Sequence, residues 1–188
     1  MGDSSEQSSV VGRVSSKRVY SGKVISVDVD EVRFPDGTTG NLEMVRHSGA
    51  SAVVPLLDTA KERQVVLIRQ YRYAASGYIY EVPAGLLAPD ETPEACASRE
   101  LKEETGYSAS VFRKLTTIYT TPGFTDERIH IFAAEQLTPG KSAHEPDEFL
   151  ELYPVSLSEA VEMVKAGKIA DAKTCIALLL TELVLGSR

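Results

Sequence analysis

Three glutamates, Glu100, Glu103 and Glu104, stand at i, i+3 and i+4 in the run Arg99-Glu100-Leu101-Lys102-Glu103-Glu104-Thr105-Gly106. The residues around them supply helix punctuation. Thr92 suits an N-cap, Pro93 the first helical position, Glu94 the first turn, and Gly106 the end. On such a helix the three carboxylates share one face within about one turn, where like charges repel. Ala95, Ala97 and Leu101 lie opposite, set to pack on a sheet. A hard divalent cation such as Mg²⁺ or Mn²⁺, which prefers oxygen ligands, would absorb the charge. Arg99 could neutralise part of it and orient a carboxylate. A solvated acidic helix face accounts for the bare run equally well.

Elsewhere the pattern predicts strands alternating with helices. Residues 23–34 are β-rich, Pro35-Asp36-Gly37 signals a turn, and a second strand is expected over 38–46. Further strands are expected at 52–57, 64–70, 78–82, 111–119, 129–135 and 149–154. Pro83, Gly85 and Pro89 break regular structure before the helix at Thr92. Ser156 with Glu159 reads as a capping box for a second helix. A third spans about 171–185, with Ile176, Leu179, Leu180 and Leu183 as its apolar stripe. The fold class is α/β, a mixed sheet between helices with a small N-terminal antiparallel sheet. Residues 1–16, rich in Ser and Gly, read as a flexible arm, 17–47 as the small β-segment, and 48–188 as the main domain.

Among 188 residues, 20 Lys and Arg face 27 Asp and Glu, and the net charge of −7 disfavours a nucleic-acid binder. A small phosphorylated ligand remains open if a metal ion mediates. No apolar run approaches the roughly 18 residues of a membrane span. The N-terminus lacks a basic start followed by an apolar stretch, so no secretory signal is expected, and Glu6 breaks the myristoylation pattern. Two cysteines, Cys96 and Cys175, fit a reducing, cytoplasmic setting and sit among helical apolar residues, unlike catalytic thiols. His47, His130 and His144 lack metal-like spacing, and no Ser-His-Asp motif is present.

Ahead of the acidic run stand Gly85, five residues, Glu91 and seven residues; after it comes Tyr107. From Gly85 to Tyr107 this resembles the Nudix box, with an aromatic at the final aliphatic position as the single soft departure. The resemblance implies a Nudix-type α/β/α sandwich. It also implies metal-ligand roles for Glu100 and Glu104, a metal- or water-directed role for Glu103, and supporting charges at Glu91 and Arg99. The loop Pro83-Ala84-Gly85 looks like the one whose alanine carbonyl, here Ala84, completes the metal shell. A glycine there lets backbone oxygen approach a cation.

Three flanking features resemble the ADP-ribose pyrophosphatase branch of that family: Arg69-Gln70-Tyr71-Arg72 ahead of Tyr80-Glu81-Val82-Pro83, the segment Thr121-Pro122-Gly123-Phe124, and the acidic Asp147-Glu148-Phe149-Leu150-Glu151. The resemblance implies Mg²⁺-dependent hydrolysis of ADP-ribose to AMP and ribose 5-phosphate. Glu148 is the favoured base, with Glu103 and Glu145 as alternatives. Arg72 could fork onto a phosphate or sit in a surface ion pair, and Glu81 could accept from a ribose hydroxyl or hold Arg72. Gly85, Pro122 and Gly123 would shape the substrate site. With no Trp, base stacking would fall to Tyr20, Phe34 or Tyr71. A GDP- or UDP-sugar pyrophosphatase and a non-catalytic nucleotide-sugar sensor are the competing readings. The branch also implies a homodimer joined through the N-terminal sheet.

Overall fold

The computed structural model describes residues 10–142 and 150–186, which form two compact units: 10–47 with 121–127, and 48–120 with 128–142 and 150–186. The first is a three-stranded antiparallel sheet, β1 (Gly12–Ser21), β2 (Ser26–Arg33) and β3 (Thr39–Arg46), with β2 central. The β2–β3 turn falls at Pro35-Asp36-Gly37, where Asp36 accepts from the Thr38 amide at 3.0 Å and hydroxyl at 2.7 Å. Strand β1 begins at Gly12, within the segment whose composition reads as an arm. All its residues are exposed, so it shows no burial alternation. Its order comes from the ladder to β2 and from side-chain bonds such as Ser16 to Asp30 at 2.6 Å.

Asp28 and Asp30 share one face of β2 and are buried, at 5% and 4% exposure. Arg46 compensates both. Its Nε donates to Asp28 at 3.1 Å, it also pairs with Asp30, and Nη1 reaches Asp126 at 3.1 Å. Asp126 belongs to the segment Thr121–Glu127, which joins this unit through the Val45 amide donating to the Phe124 carbonyl at 2.7 Å.

The second unit is built on a mixed sheet of order β10-β5-β4-β9-β8, with β6 added on β5 and β7 on β4. These strands are β4 (Ala50–Asp58), β5 (Arg63–Arg72), β6 (Gly77–Glu81), β7 (Ala84–Leu86), β8 (Tyr107–Tyr119), β9 (Arg128–Pro139) and β10 (Leu150–Ser156). Only the β4–β9 pairing is parallel. The pleat sends successive residues of β4 to opposite faces. Val53 packs with Ala97 and Leu101 of α1 (Pro93–Thr105) and with Phe132 and Ala134. Ala52, Val54 and Leu56 pack with Ala160 of α2 (Leu157–Lys165) and with Ala177 and Leu178 of α3 (Ala172–Leu185). This is the α/β/α layering expected, and no helix among the described residues is long and apolar enough to cross a membrane.

Two local expectations are corrected. Residues 84–86, expected to be irregular, form a short strand because Ala84, Gly85 and Leu86 find partners in Ala52, Ser51 and Ala50 of β4. Long-range pairing of this kind leaves no periodic signal. The buried stripe of α3 is Thr174, Ala177, Leu178, Thr181 and Leu185, while Leu179 and Leu183 are exposed at 45% and 79%. Two threonines share that buried face with Ala177, Leu178 and Leu185 because their hydroxyls are satisfied locally: Thr181 donates to the Ala177 carbonyl at 2.8 Å and Thr174 to Asp171 at 2.6 Å.

Helix α1 begins and ends where its punctuation predicts. Thr92 accepts from the Ala95 amide at 3.2 Å, and Gly106 closes the helix at φ 76° with its amide donating to the Lys102 carbonyl at 2.9 Å. A Cβ on Gly106 would meet the Ser142 amide nitrogen at 2.9 Å and the Gly140 carbonyl at 3.1 Å. Gly106→Ala therefore loses about 1–2 kcal/mol of stability, read as a lower urea midpoint.

Candidate active site on the acidic helix

Helix α1 places its carboxylates against β7. Glu100 and Glu104 are buried, at 7% and 2% exposure, whereas Glu103 is the outermost of the three. Buried carboxylates on one helical turn need positive charge or hydrogen-bond donors. Arg99 supplies both. Its Nε and Nη2 fork onto Glu91 at 2.9 and 3.0 Å, and Nη1 donates to Glu100 at 2.5 Å and to Glu103 at 3.0 Å. Nη2 also donates to the Leu86 carbonyl at 3.0 Å, tying the helix to β7. Glu91 in turn accepts from the Ala88 amide at 3.0 Å. The Arg99 hydrogen bond, against the opposing effect of burial, holds the Glu91 carboxyl down at about 2. The Arg99 guanidinium is correspondingly held above its ordinary value, first by Glu91.

Glu104 turns to the loop instead, accepting from the Ala84 amide at 3.1 Å. Gly85 lies directly against the Glu100 carboxylate, and a Cβ there would overlap the carboxylate carbon and oxygens. That space is a cradle open only to glycine. Among the described residues no three acidic, histidine or cysteine side chains converge as a finished cation cage. Arg99 occupies the middle of the cluster, and Glu104 is drawn to the backbone. The donor set nevertheless suits a hard cation: buried carboxylate oxygens one helical turn apart, beside the backbone of Gly85, which carries no side chain.

A second charged group stands at the end of the β5–β6 hairpin. Glu81 is 1% exposed, and Arg72 forks onto it through Nε at 2.7 Å and Nη2 at 3.0 Å. Lys173 of α3 donates to the same carboxylate. Burial would push Glu81 up, but Arg72 and Lys173 outweigh it and hold the carboxyl below its ordinary value. Arg72 is raised, chiefly by Glu81, and it also feels the charge of Glu104, which places it near the acidic helix.

The structure thus brings Gly85, Glu91, Arg99, Glu100 and Glu103 into one cluster, sets Glu104 on Ala84, and joins Arg72 to Glu81. Glu81 has its carboxylate engaged by two cations, so it holds Arg72. Pro122 and Gly123 belong to the other unit, in the turn where the Phe124 amide donates to the Thr121 carbonyl at 3.2 Å. Glu148 and Glu145 lie outside the described residues. Burial raises the Cys96 thiol to about 11, and burial also raises Cys175, in keeping with inert thiols. His130 is lowered by burial, and its Nδ1 lies 2.9 Å from the Thr117 hydroxyl, as a satisfied sheet histidine.

Sequence reasoning missed Lys173, which is 92 residues from Glu81 and has no local signature. It also missed Arg46 with Asp28 and Asp30, although two acids alternating with valines on a strand were a usable signal.

A model of the NUDIX domain matches residues 46–178. The chain is 40% identical over 167 residues to the ADP-ribose pyrophosphatase of Bacillus subtilis (strain 168), spanning 88% of this chain and 89% of that protein. It is also 40% identical over 158 residues to a GDP-mannose pyrophosphatase of Escherichia coli (strain SMS-3-5 / SECEC), spanning 76% of this chain and 82% of that one. A solved structure described as an ADP compounds hydrolase superposes with a TM-score of 0.80 at 23% identity, covering 94% of each chain, and so shares the fold.

The depressed Glu91 carboxyl sets a pH dependence. A folded-state value of about 2 against an ordinary 4.5 contributes stability that is present above pH 4.5 and lost as pH falls toward about 2. Across that window the urea midpoint of the protein drops, and Glu91→Gln, which lacks the contribution, drops less steeply. Parallel curves would contradict the pairing.

Proposed function

The chain belongs to the NUDIX domain family, and from that premise we propose that it hydrolyses the diphosphate bond of a nucleoside diphosphate sugar, with ADP-ribose yielding AMP and ribose 5-phosphate. The observation that carries the proposal is the pair of buried carboxylates, Glu100 and Glu104, one turn apart, the first against Gly85 and the second on the Ala84 amide. A diphosphate approaching this acidic turn is repelled unless cations intervene. Glu100 and Glu104, with Glu103 and the Ala84 carbonyl, would hold Mg²⁺ or Mn²⁺. When bound, the cation supplies charge neutralisation of the diphosphate and acidification of water.

The remaining roles fall to the chain itself. Arg72, fixed by Glu81 along one edge and 43% exposed at its side chain, offers guanidinium N–H groups to a phosphate oxygen. Arg99 holds the Glu100 and Glu103 carboxylates in place through its Nη1. Glu148, or Glu103 in its stead, accepts the proton of the attacking water. Tyr71, on the same unit as Arg72 and partly exposed, is one side chain available to stack on the base. Chemistry of this kind rests on positioning and charge rather than on a covalent protein intermediate.

A GDP-sugar is the second reading, favoured by the 40% identity to a GDP-mannose pyrophosphatase. We further propose a cytoplasmic homodimer. Support comes from the two free cysteines and from the exposed Val14, Val19 and Tyr20 on β1. We likewise propose that the N-terminal β-segment, residues 17–47, dimerises the protein and that the body from residue 48 onward carries catalysis.

The test is nucleoside monophosphate release from ADP-ribose, GDP-mannose and UDP-glucose, with Mg²⁺ or with EDTA. Fastest AMP release from ADP-ribose, abolished by EDTA, is expected. Glu104→Gln keeps an acceptor for the Ala84 amide and the circular dichroism of the parent, and it lowers kcat by on the order of 10²–10³-fold. Undiminished turnover in that variant would overturn the assignment.

A further inference from the structure

We infer that Lys173 is a positioning residue for the reaction, acting through Glu81 to aim Arg72 at the diphosphate; the inference rests on the reading of Arg72 as the guanidinium that meets the substrate. Lys173 is itself largely buried, with 13% of its side chain exposed, and its ammonium is consumed by Glu81 and by Asp171 at 3.0 Å. It therefore does not reach a ligand directly. Asp171 is the N-cap of α3: its Oδ2 accepts from the Thr174 amide at 3.0 Å and hydroxyl at 2.6 Å. The Thr174 hydroxyl oxygen then accepts from the Val82 amide at 2.9 Å. The start of α3 is thus bonded to two consecutive residues, Glu81 and Val82, at the end of β6.

The consequence lies at Arg72. A carboxylate gripped by one arginine alone can rotate with it. Lys173 bonds Glu81 Oε2, the oxygen that also accepts Arg72 Nη2 at 3.0 Å, and so pins the plane of the carboxylate from a second element. The planar fork then fixes the plane of the guanidinium. Among the described residues Arg72 Nη1 makes no hydrogen bond, and the side chain is 43% exposed. Its unbonded edge is what Lys173 aims. The ammonium also helps keep a 1% exposed glutamate ionised, without which the fork would slacken.

The experiment is a double-mutant cycle of Lys173→Met and Arg72→Ala, read as kcat/KM for ADP-ribose with Mg²⁺ and as melting temperature. Lys173→Met keeps the length and apolar stem of the side chain. It is expected to lower kcat/KM about tenfold, mainly through KM, and to change it less than about twofold when Arg72 is already alanine. Melting temperature is expected to couple in the opposite sense. Either cation alone still compensates Glu81, so the double variant loses more than the sum of the single losses. A purely structural lysine would lower kcat/KM equally in both backgrounds, and that result overturns the inference, as does an unchanged KM in Lys173→Met. A wild-type protein idle on every nucleotide sugar overturns the functional reading instead. The relay of charges is then judged on melting temperature, where simple additivity overturns it.

Discussion

Three carboxylates on one turn of α1 repel one another, and the fold answers Glu100 and Glu103 with one guanidinium and Glu104 with the Ala84 amide. Arg99 contacts Glu91, Glu100 and Glu103 and adds a bond to the Leu86 carbonyl. The compensation therefore joins helix to sheet as well as balancing charge, since Leu86 belongs to β7 and β7 pairs with β4. Removing that guanidinium would leave Glu100 buried beside like charge, the costly case for a buried ion. The helix also needs its apolar side, where Ala97 and Leu101 pack on Val53 and Phe132. Acid on one side and packing on the other hold the same turn against the loop that precedes it.

That segment, residues 81–86, is held at almost every residue by another part of the fold. Glu81 is held by Arg72 and Lys173, and the Val82 amide by Thr174. The Pro83 carbonyl accepts from the Val53 amide at 2.9 Å, the Ala84 amide donates to Glu104, and the Leu86 carbonyl accepts from Arg99. Gly85 is left without a side chain because the Glu100 carboxylate fills the space one would take. Such over-determination is what a preorganised site requires: the groups are fixed before a ligand arrives, so binding does not have to order them. Arg72 and Arg99 approach the segment from its two ends, one aimed outward and the other turned in on the acids.

Local chemistry made much of this legible in the sequence. The caps at Thr92, Pro93 and Gly106 act within one turn, so the limits of α1 could be read directly. The spacing from Gly85 to Glu104 carried the cluster, because a helix and its preceding loop convert spacing into proximity. Long-range effects were opaque. Strand β7 exists only because β4 lies alongside, and β1 shows no alternation because none of it is buried. The stripe of α3 was misassigned to its largest apolar residues. The buried face instead joins Ala177, Leu178 and Leu185 with two threonines whose hydroxyls bond Asp171 and the Ala177 carbonyl. Lys173 met Glu81 through tertiary folding alone.

The proposed function requires the buried acids of α1 to hold a divalent cation. Manganese binding, measured by titration calorimetry on the wild type and on the Glu100→Gln/Glu104→Gln variant, tests it most directly. Saturable binding to the wild type, weakened at least about tenfold in a variant that still melts cooperatively, is the predicted result. Equal affinity in the two proteins would contradict it and return the acidic turn to a structural role.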